Sequence, residues 1–387
     1  ICWEKYEGGR YINFFDNPLK SPPPEIVKQG KEAVRNYFNQ LAKSKKKHKK
    51  DFYLFESKLL IIGEAGAGKT TFAKKIKNPN AVMPKPIETT RGIDVYKWNF
   101  DVTKDEFPKL KDLKMNKTKF YLNLWDFGGQ AIYHGTHQFF FSKNSLYVLL
   151  ADTREQKTDF NYWLLTIEQL AGDSPLMIVL NKREGHTWQI DETGYKSRYG
   201  KIIKEIATAN LSNPKEIPQL QKSIKFWLEK LPQIGDKLPA SWVNIRESLN
   251  NENKSFISFE RFKEICDTHD ISKPEDIDLL SRYYDNIGVI THFIDDPVLE
   301  ERVYLDSNWL VKTIYRLLDD KNVKKQHGRI KKTQIDKIWK DNELYHETNK
   351  LLQLMQRFGL LYQVKEKDGF IVPEHLPEKM PYKIGRA

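Results

Sequence analysis

At 387 residues the chain is too long for one ordinary hydrophobic core, and two or three domains are expected. Hydrophobic residues make up 39% and charged residues 30%, with 9 Trp, 18 Tyr and 21 Phe, which excludes a largely disordered chain. The widely separated Cys2 and Cys266 exclude a disulfide framework and favour a reducing, intracellular setting; no apolar run has the length of a membrane span, and the net charge of +12 admits an acidic partner without requiring one.

The chain opens on Ile1 with no signal-peptide pattern, and is read as a piece of something longer. Residues 1–50 form a preface. Asn17-Pro-Leu-Lys-Ser-Pro-Pro-Pro24 cannot be helical, because successive prolines fix φ and remove amide donors. Glu25 to Leu41 then reads as a helix, with Ile26, Ala33, Val34, Tyr37, Phe38 and Leu41 at roughly helical spacing. The run Lys43-Ser-Lys-Lys-Lys-His-Lys-Lys50 has no interleaved aromatic residues and reads as a solvated linker.

Residues 51–231 alternate strands and helices. Leu59–Ile62, Val95–Phe100, Phe120–Trp125, Leu146–Leu150 and Leu176–Leu180 are short apolar segments of strand type, and Phe160–Leu170 is a helical pattern. Such alternation predicts an α/β domain: a mostly parallel, six-stranded sheet with helices on both faces and a ligand at the carboxyl ends of its strands. Residues 232–387 predict a helix-rich α+β domain with an internal echo. Leu280, Tyr283, Tyr284 and Ile287 precede Gly288 and the strand Val289-Ile290; Leu351, Leu354, Met355 and Phe358 precede Gly359 and the strand Leu360-Leu361. Each is an apolar helix face closed by a glycine able to take φ > 0. Return strands follow near Arg302–Leu305 and Phe370–Val372, so two winged-helix-like units are expected.

The strongest chemical signal is Gly63-Glu64-Ala65-Gly66-Ala67-Gly68-Lys69-Thr70 followed by Thr71, between a predicted strand and a predicted helix. This is the phosphate-loop pattern: glycines let backbone amides converge on phosphate oxygens, Lys69 reaches the β- and γ-phosphates, and the Thr70 hydroxyl suits Mg²⁺. After the third strand stands Asp126-Phe-Gly-Gly129-Gln130, a D-x-x-G segment in which Asp126 lies near Mg²⁺, the Gly129 amide meets the γ-phosphate and Gln130 orients the attacking water. Between them, Thr90 in Thr89-Thr90-Arg91-Gly92-Ile93-Asp94 fits a threonine that senses Mg²⁺ and the γ-phosphate. Asn181-Lys182-Arg183-Glu184 follows the fifth strand, where GTPases typically show N-K-x-D. A carboxylate there accepts from guanine N1–H and the 2-amino group, which adenine cannot match; Glu184 is one methylene longer than Asp. Thr208-Ala209-Asn210 is the candidate for the last guanine-contacting loop, by position.

The pattern goes beyond a generic small GTPase. Trp125-Asp-Phe-Gly-Gly-Gln-Ala-Ile-Tyr-His-Gly-Thr-His-Gln-Phe-Phe140 and Thr90-Arg-Gly-Ile-Asp-Val95 resemble the Roc domain of Roco proteins. Ile234-Gly-Asp-Lys-Leu-Pro-Ala-Ser-Trp-Val243, Asp295-Asp-Pro297, Asn308-Trp309 and Ile371-Val-Pro373 resemble the COR domain that follows Roc. Asn17 to Val27 is similar to the end of the leucine-rich repeats of microbial members. The resemblance implies a repeat end and linker at 1–50, a Ras-like Roc domain at 51–231 and the N-terminal part of COR at 232–387. It also implies a cytoplasmic GTPase in which COR mediates dimerisation and relays the nucleotide state. Family COR domains run further than this chain, so the dimer-forming half is expected to be absent. Ala65 departs from the glycine many GTPases carry beside the γ-phosphate.

GTP with Mg²⁺ is therefore the expected ligand, with Thr70, Thr90 and Asp126 around the metal and Lys69, Thr90 and Gln130 serving catalysis. Intrinsic turnover is expected to be slow unless an arginine finger is supplied, for which Arg154 and Arg91 are candidates. Two rivals stay open: a signalling P-loop ATPase with winged helices, for which Leu149-Leu150-Ala151-Asp152 mimics an acidic strand end, and a winged-helix nucleic-acid binder exploiting the positive charge.

Overall fold

The computed structural model describes residues 2–5, 11–13, 21–23, 26–27, 29–47, 51–83, 93–128, 140–182, 186, 188–340, 347–364 and 369–377. An antiparallel pair, β1 (Cys2–Lys5) and β2 (Tyr11–Asn13), precedes helix α1 (Lys31–Lys47). Then follow β3 (Phe52–Tyr53), β4 (Glu56–Gly63), α2 (Lys69–Lys77), β5 (Ile93–Thr103), the short α3 (Lys109–Asp112), β6 (Lys117–Phe127) and β7 (Leu146–Asp152). Next come α4 (Phe160–Ala171), β8 (Leu176–Asn181), α5 (Glu192–Tyr199), β9 (Ile203–Ala209) and α6 (Ile217–Glu229).

The central sheet has six strands in the order β5-β6-β4-β7-β8-β9, parallel except for β5, which runs antiparallel to β6. One face packs Leu59, Ile61, Leu124, Val148 and Val179 against α2 and α6. The other packs Leu60, Ile62, Trp125, Leu149 and Ile178 against α4 and on into the C-terminal half, through Tyr304, Leu310 and Ile314. β4, β7 and β8 are buried along their length because both faces are covered. Burying each large side chain of these layers stabilises by about 2–3 kcal/mol.

The predicted strands are all present, generally longer than the apolar runs alone suggest. β9 is the sixth strand, counted in the expected sheet but not located in the sequence, so Thr208 and Ala209 end a strand where a loop was expected. Its Lys204, Glu205 and Thr208 interrupt any apolar run, and the strand exists because it pairs with β8, with a register shift at Lys204.

After β10 (Lys237–Leu238), which pairs with β3, the C-terminal half repeats itself. The first unit is α7 (Ala240–Asn251), β11 (Phe256–Ser258), α8 (Phe259–Thr268), α9 (Pro274–Ile287), β12 (Thr291–His292) and β13 (Arg302–Tyr304). The second is α10 (Ser307–Leu318) with α11 (Lys321–Lys325), β14 (Arg329–Lys331), α12 (Lys332–Ile338), α13 (Thr348–Arg357), β15 (Tyr362–Gln363) and β16 (Gly369–Ile371). Both three-stranded sheets place the last strand in the middle, β11-β13-β12 and β14-β16-β15. Ile257↔Val303↔His292 in one matches Ile330↔Phe370↔Gln363 in the other.

The strands after Gly288 and Gly359 start two residues later than the apolar pairs predicted. Val289 N–H donates to the Tyr284 carbonyl at 2.9 Å and Leu360 N–H to that of Met355 at 2.8 Å, closing the helices instead of opening strands.

The basic run differs from its reading as a solvated linker. α1 continues through Lys47, into the basic run, and packs on the C-terminal half. Tyr37 Oη donates to the Lys237 carbonyl at 2.5 Å, Trp242 Nε1 to Gln40 Oε1 at 2.8 Å, and Ala240 N–H to Ser44 Oγ at 2.9 Å. Buried apolar contacts supply what helix propensity in a lysine-rich segment cannot. Of residues 17–27, those at 17–20, 24 and 25 lie outside the described residues. Among the described residues no helix is long and apolar enough to cross a membrane.

Candidate functional site

β4 runs straight into the loop 63–68, and the loop into α2. Gly63 takes φ +133, and a Cβ there would lie 2.2 Å from the Leu150 carbonyl oxygen of the neighbouring strand. Gly68 takes φ +100 and caps α2 with no side-chain oxygen; a Cβ there would lie 2.6 Å from Asn181 Nδ2. Only glycine fits either place, so the first-turn amides of α2 are left to a ligand without side-chain caps.

Lys69 is buried, and its ammonium donates to the carbonyls of Gly63 at 2.8 Å and Glu64 at 2.7 Å. Burial pushes its pKa down to about 8, against the pull of Asp126 and Glu64. Asp126 is fully buried at the end of β6, opposite Ile61 of β4 and Asp94 of β5. Thr70 is partly buried and Thr71 buried at the head of α2, and Ala65 and Gly66 are exposed at the loop tip.

The sheet brings the later motif to the same place. Asn181, the last residue of β8, donates from Nδ2 to the Ala67 carbonyl at 3.0 Å, clamping the phosphate loop from the side. Lys182 N–H donates to the Ala209 carbonyl at 2.9 Å. Asn210 N–H donates to Glu216 Oε2 at 2.8 Å while its Oδ1 accepts from Ser212 N–H at 2.9 Å, shaping the following loop. Loop, Asn181–Lys182 and Thr208–Asn210 thus converge at the carboxyl end of the sheet. Thr90, Gly129, Gln130, Glu184 and Arg91 lie outside the described residues.

Arg154 is engaged elsewhere. Its Nε lies 3.1 and 3.2 Å from the two carboxylate oxygens of Asp152 and its Nη2 2.7 Å from Oδ2, a chelate that fixes the end of β7. Asp152, offered as the acidic strand end of an ATPase, is committed to this pair.

Residues that fulfil the chemistry of Mg²⁺ and triphosphate binding are present: a buried ammonium, a hydroxyl at Thr70, the carboxylate of Asp126 and a loop whose two ends, Gly63 and Gly68, leave no room for a Cβ. Among the described residues no cluster of three His, Cys, Asp or Glu side chains could hold a metal; Mg²⁺ in such a site would take phosphate oxygens and water beside one or two protein oxygens.

The sequence reading missed the groups that join this site to the C-terminal half. Glu56 of β4 pairs with Arg246 of α7 and accepts from Asn123 Nδ2 at 3.1 Å. Lys58, buried on the same strand, lies 5.3 Å from the centroid of the Trp125 ring and faces Asp285 of α9. Asn308 of α10 bonds both backbone groups of Val95, accepting from its N–H at 2.8 Å and donating to its carbonyl at 3.4 Å. Glu56-Ser57-Lys58, polar residues abutting an apolar strand, were the available signal.

A family model described as "Ras of Complex, Roc, domain of DAPkinase" matches residues 58–184, and one described as "C-terminal of Roc, COR-A domain" matches residues 239–376. A Roc-COR-CHAT protease from an unknown prokaryotic organism is 27% identical over 402 residues, 97% of this chain and 36% of that protein. A Roc-COR-CHAT protease of Runella zeae is 29% identical over 85% of the chain and 36% of the relative. A probable serine/threonine-protein kinase of Dictyostelium discoideum, pats1, is 26% identical over 89% of the chain and 11% of the relative. The chain thus spans little more than a third, or less, of these relatives. Among solved structures, Roco2 RocCORdC of Methanosarcina barkeri bound to GDP superposes with a TM-score of 0.71 at 27% identity, covering 84% of this chain and 98% of that one.

Proposed function

This chain belongs to the Roco family, and on that footing we propose that it is a GTP-binding switch that hydrolyses GTP to GDP and phosphate. The observation that carries the reading is Lys69: a buried ammonium held on the Gly63 and Glu64 carbonyls, beside Asp126, in a loop clamped by Asn181. Neither rival, the ATPase or the nucleic-acid binder, is favoured by these matches. We take 51–231 as the GTPase domain, 232–387 as the N-terminal part of COR and 1–50 as the end of a leucine-rich repeat with its linker.

In the proposed cycle the loop amides and Lys69 neutralise charge growing on the β–γ bridge. The Asn181 amide fixes the loop while Lys182 and the proposed carboxylate of Glu184 line the guanine side, with the 208–210 segment opposite. Thr70, Thr90 and Asp126 would hold Mg²⁺, which supplies charge neutralisation on the phosphates. Gln130 orients water in line, and the Gly129 amide and Thr90 lose their contacts when the γ-phosphate leaves. COR relays the state through its contacts to β4 and β5. Turnover is expected to be slow without a supplied positive charge; Arg154 would have to leave Asp152 to provide it. Light scattering with GDP and with a non-hydrolysable GTP analogue tests whether this chain forms the COR-mediated dimer of the family.

Calorimetry with GTP, GDP and ATP, with and without Mg²⁺, tests the reading. Tight guanine-nucleotide binding is expected, lost in Lys69→Ala, and Glu184→Ala should weaken GTP while leaving ATP unchanged. Equal loss for both purines would overturn the guanine assignment.

A further inference from the structure

Resting on the nucleotide reading above, the geometry assigns Glu64 a role of its own: it is a positioning residue that ties the phosphate loop to α4 through the indole of Trp163. Trp163 Nε1 donates to Glu64 Oε1 at 3.1 Å, across a sequence separation of 99 residues. The ring itself is locked, since Trp163 is buried in the second turn of α4 among Phe160, Leu164 and Ile167. The helix start is fixed as well, with Asp159 Oδ1 accepting from Tyr162 N–H at 3.0 Å.

Glu64 therefore has two ends. Its side chain is held by a rigid helix. Its main-chain carbonyl accepts from the Lys69 ammonium at 2.7 Å. Within the loop the Ala67 N–H donates to the Glu64 carbonyl at 3.3 Å, but its tip is open: Gly66 has nothing within 4 Å of its Cβ direction, and Ala65 and Gly66 are exposed. Asn181 fixes the loop at Ala67 and Trp163 fixes it at Glu64, one clamp on either side of its exposed tip. An indole that holds Glu64 pre-sets the arc from which the amides and Lys69 meet the phosphates, so less ordering remains for binding to accomplish. The Glu64 charge acts too, favouring the protonated Lys69 against its burial.

The test is the dissociation rate of a fluorescent methylanthraniloyl-GDP from the full chain, measured by stopped flow with excess unlabelled GDP. Glu64→Ala and Trp163→Phe should each release the nucleotide about tenfold faster, the effect of one lost hydrogen bond to a charged group. The double variant should be no faster than either single one, because both remove the same tie. Glu64→Gln keeps an oxygen for the indole and should release at least threefold more slowly than Glu64→Ala. Additive singles, a Gln variant as fast as the Ala variant, or a Glu64→Ala variant as slow as the parent would each overturn the tie. Glu64 lies outside the core, so its variants report even if Trp163→Phe disturbs packing. If the parent chain binds no labelled GDP at all, the nucleotide reading fails first; if it binds in a Lys69-dependent way and the variants do not follow the pattern, only the tie fails.

Discussion

The two winged-helix repeats share strand order, register and helix closure, yet they grip different strands of the nucleotide sheet. The first holds β4, the strand that becomes the phosphate loop, through Arg246 on Glu56 and Asp285 facing Lys58. The second holds β5, the strand that emerges from the segment containing Thr90, through the Asn308 amide on Val95. The first contact is made by charged groups, with Glu56 and Lys58 buried and Arg246 and Asp285 partly buried; the second is a neutral amide on a sheet edge, beside an exposed Lys312–Asp94 pair at 4.0 Å. In the proposed cycle, the strand that stays still is fastened with groups that are costly to separate, and the strand that answers the nucleotide with a bond that water can replace. The first repeat is read as an anchor and the second as a relay.

The hardest way to break this contrast is at the anchor. Burial pushes the Asp285 carboxyl up in pKa, and the Lys58 charge opposes that rise. Lys58→Met leaves the partly buried Asp285 without its counter-charge, at a cost of about 1–2 kcal/mol near neutral pH. The sign of its pH dependence follows. A carboxylate whose folded pKa stands above its unfolded value loses stability as pH rises between the two, so the deficit should shrink on moving from pH 7.5 to pH 5. Lys58→Met with Asp285→Asn should recover most of the loss. Urea unfolding at both pH values measures it, and a single variant as stable as the parent at pH 7.5 would remove the anchor.

A comparison of matched glycines is smaller and sharper. Gly288 and Gly359 close equivalent helices at φ +82 and +69, so alanine costs about 1 kcal/mol at either in backbone strain alone. At Gly288 the added methyl would also lie 2.5 Å from Lys58 Cε and 2.9 Å from its Cγ, whereas at Gly359 the nearest atom is the Tyr362 hydroxyl at 3.3 Å. Lys58 is walled in between Trp125 and α9 and cannot yield freely. Gly288→Ala is therefore expected to cost about twice as much as Gly359→Ala. Equal losses by thermal unfolding would mean that the first repeat does not press on β4.

Much of this was legible in the residues. The phosphate loop declared itself because glycine spacing, strand and helix are contiguous in sequence. The repeats were visible because an apolar helix face ending in glycine occurs twice. What escaped was long-range. β9 carries Lys204, Glu205 and Thr208 and is a strand because β8 provides its partner. α1 looked like a free preface because nothing local shows that Tyr37 and Gln40 meet Lys237 and Trp242. Glu56 and Lys58 fell outside the predicted strand because charge argues against burial until the opposing Arg246 and Asp285 are known. Trp163 lay inside the helical pattern Phe160–Leu170, and only the fold reveals Glu64 at its indole.

The relay carries the smallest stability effect and the most specific one. β5 pairs with β6 on one side only, and at Val95 the Asn308 amide supplies an acceptor and a donor to the free edge, as a further strand would. Asn308→Ala removes both bonds. Val95 is only partly buried, so water can reach the edge and the loss should be about 1 kcal/mol, a shift of a few degrees in Tm. A merely structural tie would weaken GDP and a GTP analogue alike. A relay would change their ratio, because β5 begins at Ile93, three residues after Thr90, whose contact with the γ-phosphate distinguishes the two ligands in the proposed cycle. A coupling of about 1 kcal/mol corresponds to about fivefold in that ratio. Asn308→Asp, which keeps the acceptor for the Val95 N–H and loses the weaker donor contact, should fall between Ala and the parent. Calorimetric Kd values for GDP and the analogue decide it: an unchanged ratio in Asn308→Ala returns the second repeat to the same role as the first, and a shifted ratio with only that small loss in Tm separates them.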